Sequence, residues 1–329
     1  TRQDTLLKEY GYANSDLVQG LEALGFYVPA CSRSNYSRTF ESLLTSLNMA
    51  YLEPLAEEAP TRAELGKLLS HSAVRTLLEG VGYRTVAFKT GYQWSELEDA
   101  AVYLSPGDSG IFEALDPFEF LFLRTTALSF VLDYRHQLAL TAGGEELRGG
   151  ALFEHAEFVQ RERFILDSLP AVARLAGPKF VFAHILVPHV PRVFAPDGSI
   201  LTDPRFYAGK NDGATSQEFD LRGYLYGVEF ISGRVLGIVR EILAVSARPP
   251  IIVIQGDTGR GGADAFEILN AYYTAGEAEP GLYPTITPVN TFRVLFDSKF
   301  GTAFGLLPDE SITPGGEKVP ERWPGCVGE

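Results

Sequence analysis

The stretch Lys179-Phe-Val-Phe-Ala-His-Ile-Leu-Val187 decides the fold. It is a continuous apolar run carrying β-branched Val181, Ile185 and Val187, the pattern of a strand buried on both faces of a parallel sheet. It runs straight into Pro188-His-Val-Pro191, and proline cannot donate to a strand ladder. A second run, Ile251-Ile-Val-Ile254, follows Pro249-Pro250, reads as another central strand, and ends in Gln255-Gly-Asp-Thr-Gly-Arg-Gly-Gly262. Arg84-Thr-Val-Ala-Phe88 is a third, and Phe26-Tyr-Val28 a short fourth stopped by Pro29. Residues able to do chemistry follow these strands directly, where open α/β sheets place their ligands.

Helical spacing fills the intervals. Apolar residues recur at that spacing from Asp4 to Leu24, broken at Tyr12–Ser15 and stopped by Gly25. Thr39 to Met49 reads as a helix with Phe40, Leu43, Leu44 and Leu47 on its apolar face. Further helices are expected over Ser70–Glu79, Phe112–Leu140, Leu152–Leu175 and Phe219–Val245. Such alternation predicts an α/β protein, layered α/β/α around a central, mostly parallel sheet. One domain is expected over residues 1–312, with a loose Gly/Pro-rich tail over 313–329.

Composition narrows the function. Hydrophobic residues make up 45% and charged residues 21% of 329, a globular balance. Lys+Arg is 28 against Asp+Glu 42, and a net charge of -14 repels phosphate backbones, which argues against general nucleic-acid binding. Cys31 and Cys326 are too few for a disulfide framework or a thiolate metal cluster; one bridge is geometrically open to them, but two idle thiols are the favoured reading. No run reaches the ~20 apolar residues of a membrane span. The chain starts at Thr1 and has Met49 as its one methionine, so an upstream segment, with any leader or anchor, is expected to be missing.

Three places carry candidate chemistry. The Ser32–Thr39 loop opens a helix, where unpaired backbone N–H groups and the positive dipole end suit an anion or a nucleophile attacking one. Plain N-capping by Ser37 or Thr39 is the structural alternative. His184 and His189 flank the end of the first strand; His184, in mid-strand, reads as a satisfied core histidine, and His189 as the one facing a pocket. Asp257 can ligate a hard divalent cation beside glycines that permit close approach, or can merely close an Asx-turn. Gly259-Arg-Gly-Gly262 fits neither a Walker A loop nor a dinucleotide fingerprint, and no Gly-x-Ser-x-Gly elbow is present.

The segments Ser34–Leu52, Phe182–Pro191 and Ile251–Gly259, in this order and spacing, resemble the sulfatase-like branch of the alkaline phosphatase superfamily, in particular bacterial membrane-anchored sulfatase-domain proteins distantly similar to lipoteichoic acid synthases. Glu22–Val28, Gly82–Gly91 and Ile268–Tyr273 fit as well, so the resemblance covers most of the chain. It implies an alkaline-phosphatase-like fold and a metal-dependent hydrolase or transferase of sulfate or phosphate esters, on the extracytoplasmic side of a bacterial membrane. The membrane would be reached only through upstream segments. On this resemblance Thr39 is the nucleophile, and Asp257, Thr39 and Thr258 take metal-ligand positions for Mn, Mg, Ca or Zn. His189 contacts the substrate oxyanion or leaving group, with His184 and Lys89 as further substrate contacts. The implied partner is a small anionic ester, a glycan or a lipid headgroup.

Two departures matter. Thr258 stands where the family has His or Asn, and a neutral hydroxyl is a weak donor to a Zn- or Mn-like ion. The family's first-strand Asp has no counterpart in these residues. Thr39 and Asp257 alone are therefore predicted to bind metal poorly. The alternative reading is a degenerate domain that keeps the fold and holds an anionic glycan or lipid headgroup without turnover.

Overall fold

The computed structural model describes residues 1–106, 155–207, 217–275, 281–321 and 326. The helix expected over Phe112–Leu140 lies outside them. They fall into two compact units, Thr1–Val81 with Arg248–Glu329, and Gly82–Ala247, where the sequence reading takes 1–312 as one domain.

The first unit opens with helices α1 (Gln3–Tyr10) and α2 (Ser15–Ala23), broken where the sequence predicts. Gly11 ends α1 in the left-handed conformation, φ 66°, which favours glycine. Helix α3 (Thr39–Asn48) buries Phe40, Leu44 and Leu47, followed by α4 (Leu52–Glu58), α5 (Arg62–Ser70) and α6 (Ala73–Gly80). Thr61 and Glu64 form a reciprocal capping box on α5, and Ser72 caps α6 by accepting from the Arg75 N–H.

The run Ile251–Ile254 forms a strand, Ile251–Gln255, but it pairs antiparallel with the next one, Asn270–Thr274. Tyr27 and Tyr272 exchange backbone hydrogen bonds of 2.8 and 2.9 Å, so Phe26–Val28 contributes a bridge rather than a strand. A helix over Pro288–Phe300, started by proline in its first turn, packs on α3.

Two sequence expectations about this unit give way. Cys31 and Cys326 are not idle thiols: they form a disulfide, Cα–Cα 5.3 Å across 295 positions. The tail is not loose as far as Glu321. Ile312 bridges Lys318, the Val319 N–H donates to the Ser311 carbonyl, Arg33 donates to the Val319 carbonyl, and Arg2 pairs with Glu321 at 3.3 Å. These contacts use backbone groups and two arginines, to which Gly/Pro composition is blind.

The second unit holds the parallel sheet. Strands β1 (Arg84–Phe88), β2 (Val102–Leu104) and β3 (Lys179–Phe182) lie in the order β2-β1-β3, with Val86 opposite both Val102 and Val181. Helix α7 (Ala156–Ala173) covers it, packing Phe164, Ile165 and Val172 on Val86, Phe88, Val102 and Leu104. Helix α8 (Gln217–Val245) packs on α7. The decisive run is shorter than expected. Its ladder stops at Phe182, and β3 is half-buried, because among the described strands it pairs with β1 alone. In chain order the strands of the first unit are β4 (Ile251–Gln255) and β5 (Asn270–Thr274), and its last helix is α9 (Pro288–Phe300). No described helix is long and apolar enough to cross a membrane.

Candidate functional site

In the first unit the loop before α3 is buried, contrary to its polar composition. Ser32, Ser34 and Asn35 are wholly inaccessible because each serves the backbone around it. Ser32 donates to the Ile286 carbonyl at 2.7 Å; the Ser34 N–H donates to the Phe266 carbonyl at 2.7 Å. Asn35 donates to the Glu310 carbonyl and Thr287 Oγ1, and accepts from the Val289 N–H. This lattice fixes where α3 begins.

Thr39 is the first residue of that helix. The N-cap is Arg38, with extended backbone and no side-chain capping bond, so the plain N-capping alternative is not realised. Among the described residues the Thr39 hydroxyl has no partner, and the opening N–H groups of the helix have none within it. Ser42, one turn on, donates to the Asp257 carbonyl at 2.6 Å, and Gln255 donates to Ser46 Oγ at 3.1 Å. Thr39, Ser42 and Ser46, spaced i, i+3, i+7, share one helix face. The start of α3 and the exit of β4 are therefore brought together. Ser42 was not singled out from sequence, where nothing marks it off from Thr45 and Ser46, which are also buried.

Asp257 is half-buried, and no Asx-turn forms, since the Gly259 N–H donates instead to the Ala265 carbonyl at 2.8 Å. A Cβ on Gly259 would stand 1.7 Å from the Asp264 carbonyl oxygen, so this turn requires glycine. Thr258 is half-buried beside Asp257.

These residues do not fit a tight metal site. One carboxylate and two hydroxyls supply a single negative charge and no imidazole or thiolate. Among the described residues no group of three or more His, Cys, Asp and Glu side chains could hold an ion.

In the second unit Lys89 and His184 each lie two residues beyond the paired Ala87 and Phe182, at the C-terminal end of β1 and β3. Lys89 is exposed, anchored through its N–H to the Leu104 carbonyl at 2.7 Å. His184 is not in mid-strand, because β3 has already ended; its Nδ1 lies 2.8 Å from buried Ser95 Oγ. His189 is exposed, with Nδ1 2.7 Å from the Val190 carbonyl oxygen. Its segment rests in a groove of α8: Cβ atoms on Gly227 and Gly223 would stand 2.8 Å from Pro188 Cβ and 2.9 Å from Arg192 Cβ. A buried Arg192–Asp220 pair at 3.1 Å holds the far end.

Glu162 of α7 fixes the near end. Its carboxylate, fully buried, accepts the Leu186 N–H at 2.9 Å. Burial lifts its pKa to about 7, against the lowering pull of the Leu186 and Val187 N–H groups and Arg161. Sequence reasoning missed Glu162 and the Gly223/Gly227 pair. A lone acid between Val159, Ile165 and Leu166 on a helix's apolar stripe, and glycines four apart, were the signals.

No family model matches the sequence, and no curated protein matches it. Two solved structures of the C-terminal periplasmic domain of EcEptC from Escherichia coli are similar in fold. One, in complex with Zn, has a TM-score of 0.53 at 10% identity; the other has 0.50 at 11%. Each match covers 90% of this chain and 78% of that one. At such identity the likeness speaks for the fold alone, and it agrees with the alkaline-phosphatase-like α/β fold expected above.

Proposed function

We propose that this chain is the extracytoplasmic domain of an enzyme that hydrolyses or transfers sulfate or phosphate esters through Thr39. The Thr39 oxygen forms a bond to phosphorus or sulfur as the ester's alcohol leaves. Water or a second alcohol then takes the group and restores the threonine. The opening N–H groups of α3 hold the anion's oxygens, and the helix dipole favours its charge. The substrate is a small anionic ester, a glycan or a lipid headgroup.

One observation carries the reading: a threonine hydroxyl with no partner among the described residues opens a helix whose next turn is bonded to the Asp257 backbone. The Cys31–Cys326 disulfide supports an oxidising, extracytoplasmic location, as does the periplasmic origin of the similar domain. The ill-fitting metal donors favour a second reading, anion binding without turnover. Turnover of aryl phosphate diesters and aryl sulfates by the chain, with and without added divalent ions, separates the two. Thr39→Ala is expected to lower the rate at least a hundredfold and Thr39→Ser to keep most of it. Equal rates for wild type and Thr39→Ala would remove Thr39 from the chemistry. Anion binding with no turnover would select the second reading.

A further inference from the structure

In the first unit, α9 closes on Phe300-Gly-Thr-Ala-Phe-Gly-Leu-Leu-Pro308, a run with no charged residue. Its apolar side chains stand in water: Phe300 is 39% exposed, Phe304 38% and Leu306 57%, and Ala303 and Pro308 are exposed as well. Both phenylalanine rings rest on the buried ring of Phe296, with centroids 5.3 and 6.2 Å away, so they form one patch.

The backbone of this loop is satisfied from inside the protein. Asp297 accepts from the Thr302 hydroxyl and from the N–H groups of Phe304 and Gly305, at 2.7, 2.7 and 2.9 Å. Arg293 donates to the Phe304 and Gly305 carbonyls at 2.8 and 3.1 Å. Asn290 donates to the Leu307 carbonyl at 2.8 Å and accepts from its N–H at 2.9 Å. An ordinary exposed loop leaves such groups to water. Here three side chains of α9 take that role, so the tip can leave water without stranding the peptide groups of Phe304, Gly305 and Leu307.

Size decides what covers it. At ~200 Å² for a fully exposed side chain, Phe300, Phe304 and Leu306 leave about 250 Å² of apolar surface in water. That is about a third of the ~800 Å² each partner brings to a stable protein interface. A lipid surface needs no matching shape, and Phe and Leu are among the side chains that enter its headgroup–acyl boundary.

We propose that the 300–308 loop is a lipid-contacting tip, which inserts Phe300, Phe304 and Leu306 into a membrane surface while Asp297, Arg293 and Asn290 hold its backbone in shape. This contact does not depend on the Thr39 chemistry.

The test adds an excess of phosphatidylcholine vesicles to Phe304→Trp, with wild type as the blank for its two native tryptophans. Zwitterionic lipid is the probe because a net charge of -14 is repelled by an anionic surface. The added indole should shift to the blue and be quenched by brominated acyl chains, and molar salt should leave the shift in place. Leu306→Asp in the same background should lower the bound fraction at least tenfold, with unchanged urea denaturation. Flotation of wild type and Leu306→Asp with the same vesicles repeats the comparison without touching Phe304. Unmoved emission in excess lipid, or an equal response from Leu306→Asp, would overturn the proposal. So would an indole already shifted without lipid, because the chain itself would then cover the loop. A lipid-free shift that grows with protein concentration would replace the membrane with a second copy.

Discussion

Replacing Glu162 with Gln should change how the protein's stability depends on pH. The carboxyl is fully buried, one oxygen accepts from Leu186, and the other has no partner among the described residues. Its pKa rises from 4.5 to about 7, chiefly through burial. The folded state holds this proton more tightly than the unfolded chain does. The stability it contributes is therefore complete below pH 4.5 and is lost as pH climbs through about 7. At roughly 1.4 kcal/mol for each pH unit, that loss is about 3 kcal/mol. Glutamine keeps the shape and an oxygen for the Leu186 N–H but has nothing to ionise. Urea unfolding followed by circular dichroism from pH 4 to 8 should give a wild-type curve falling about 3 kcal/mol more than the variant's. Hydrogen exchange at the Leu186 amide reports the same change locally. Two parallel curves would refute the argument, because they would mean that Glu162 ionises in the folded protein as easily as in water.

Three other outcomes follow from the geometry. Gly259→Ala should cost about 3 kcal/mol by displacing the Asp264 carbonyl, measured by urea denaturation. Cys326→Ser should lower the unfolding free energy by about 3 kcal/mol in a thermal melt, and thiol titration of wild type should find no thiols before reduction and two after. Wild type should bind Zn and Mn more weakly than micromolar by calorimetry, and Thr258→His, which adds an imidazole beside Asp257, should tighten Zn at least tenfold.

The elements of the fold were legible where one physical signal dominates. Arg84–Phe88 and Thr39–Asn48 formed within a residue of the expected bounds, since apolar periodicity alone specifies them. The Lys179–Val187 run was read too long. Apolar character persists to Val187, but the backbone beyond Phe182 turns to place its N–H groups on Glu162, and no periodicity encodes that. Pairing direction was hidden too. Ile251–Ile254 has the composition of a buried parallel strand, yet Asn270–Thr274 supplies an antiparallel partner. Cysteine count could not distinguish a bridge from idle thiols, because pairing across 295 positions depends on how the chain's end docks.

The candidate site was legible as residue types and hidden as support. Thr39, Asp257, His184 and His189 stand out in sequence because each follows a strand or opens a helix. Whether a hydroxyl at a helix start serves as its cap depends on the backbone: here Arg38 takes the N-cap position with no side-chain bond, and a capping threonine would have the same sequence. The same logic explains Glu162: a carboxyl is placed in an apolar stripe because the chain at Leu186 has left its ladder and needs an acceptor. A lone acid among apolar neighbours, Glu162 on α7, is thus the sequence sign of a backbone held out of regular structure, and the backbone held is the exit of a strand.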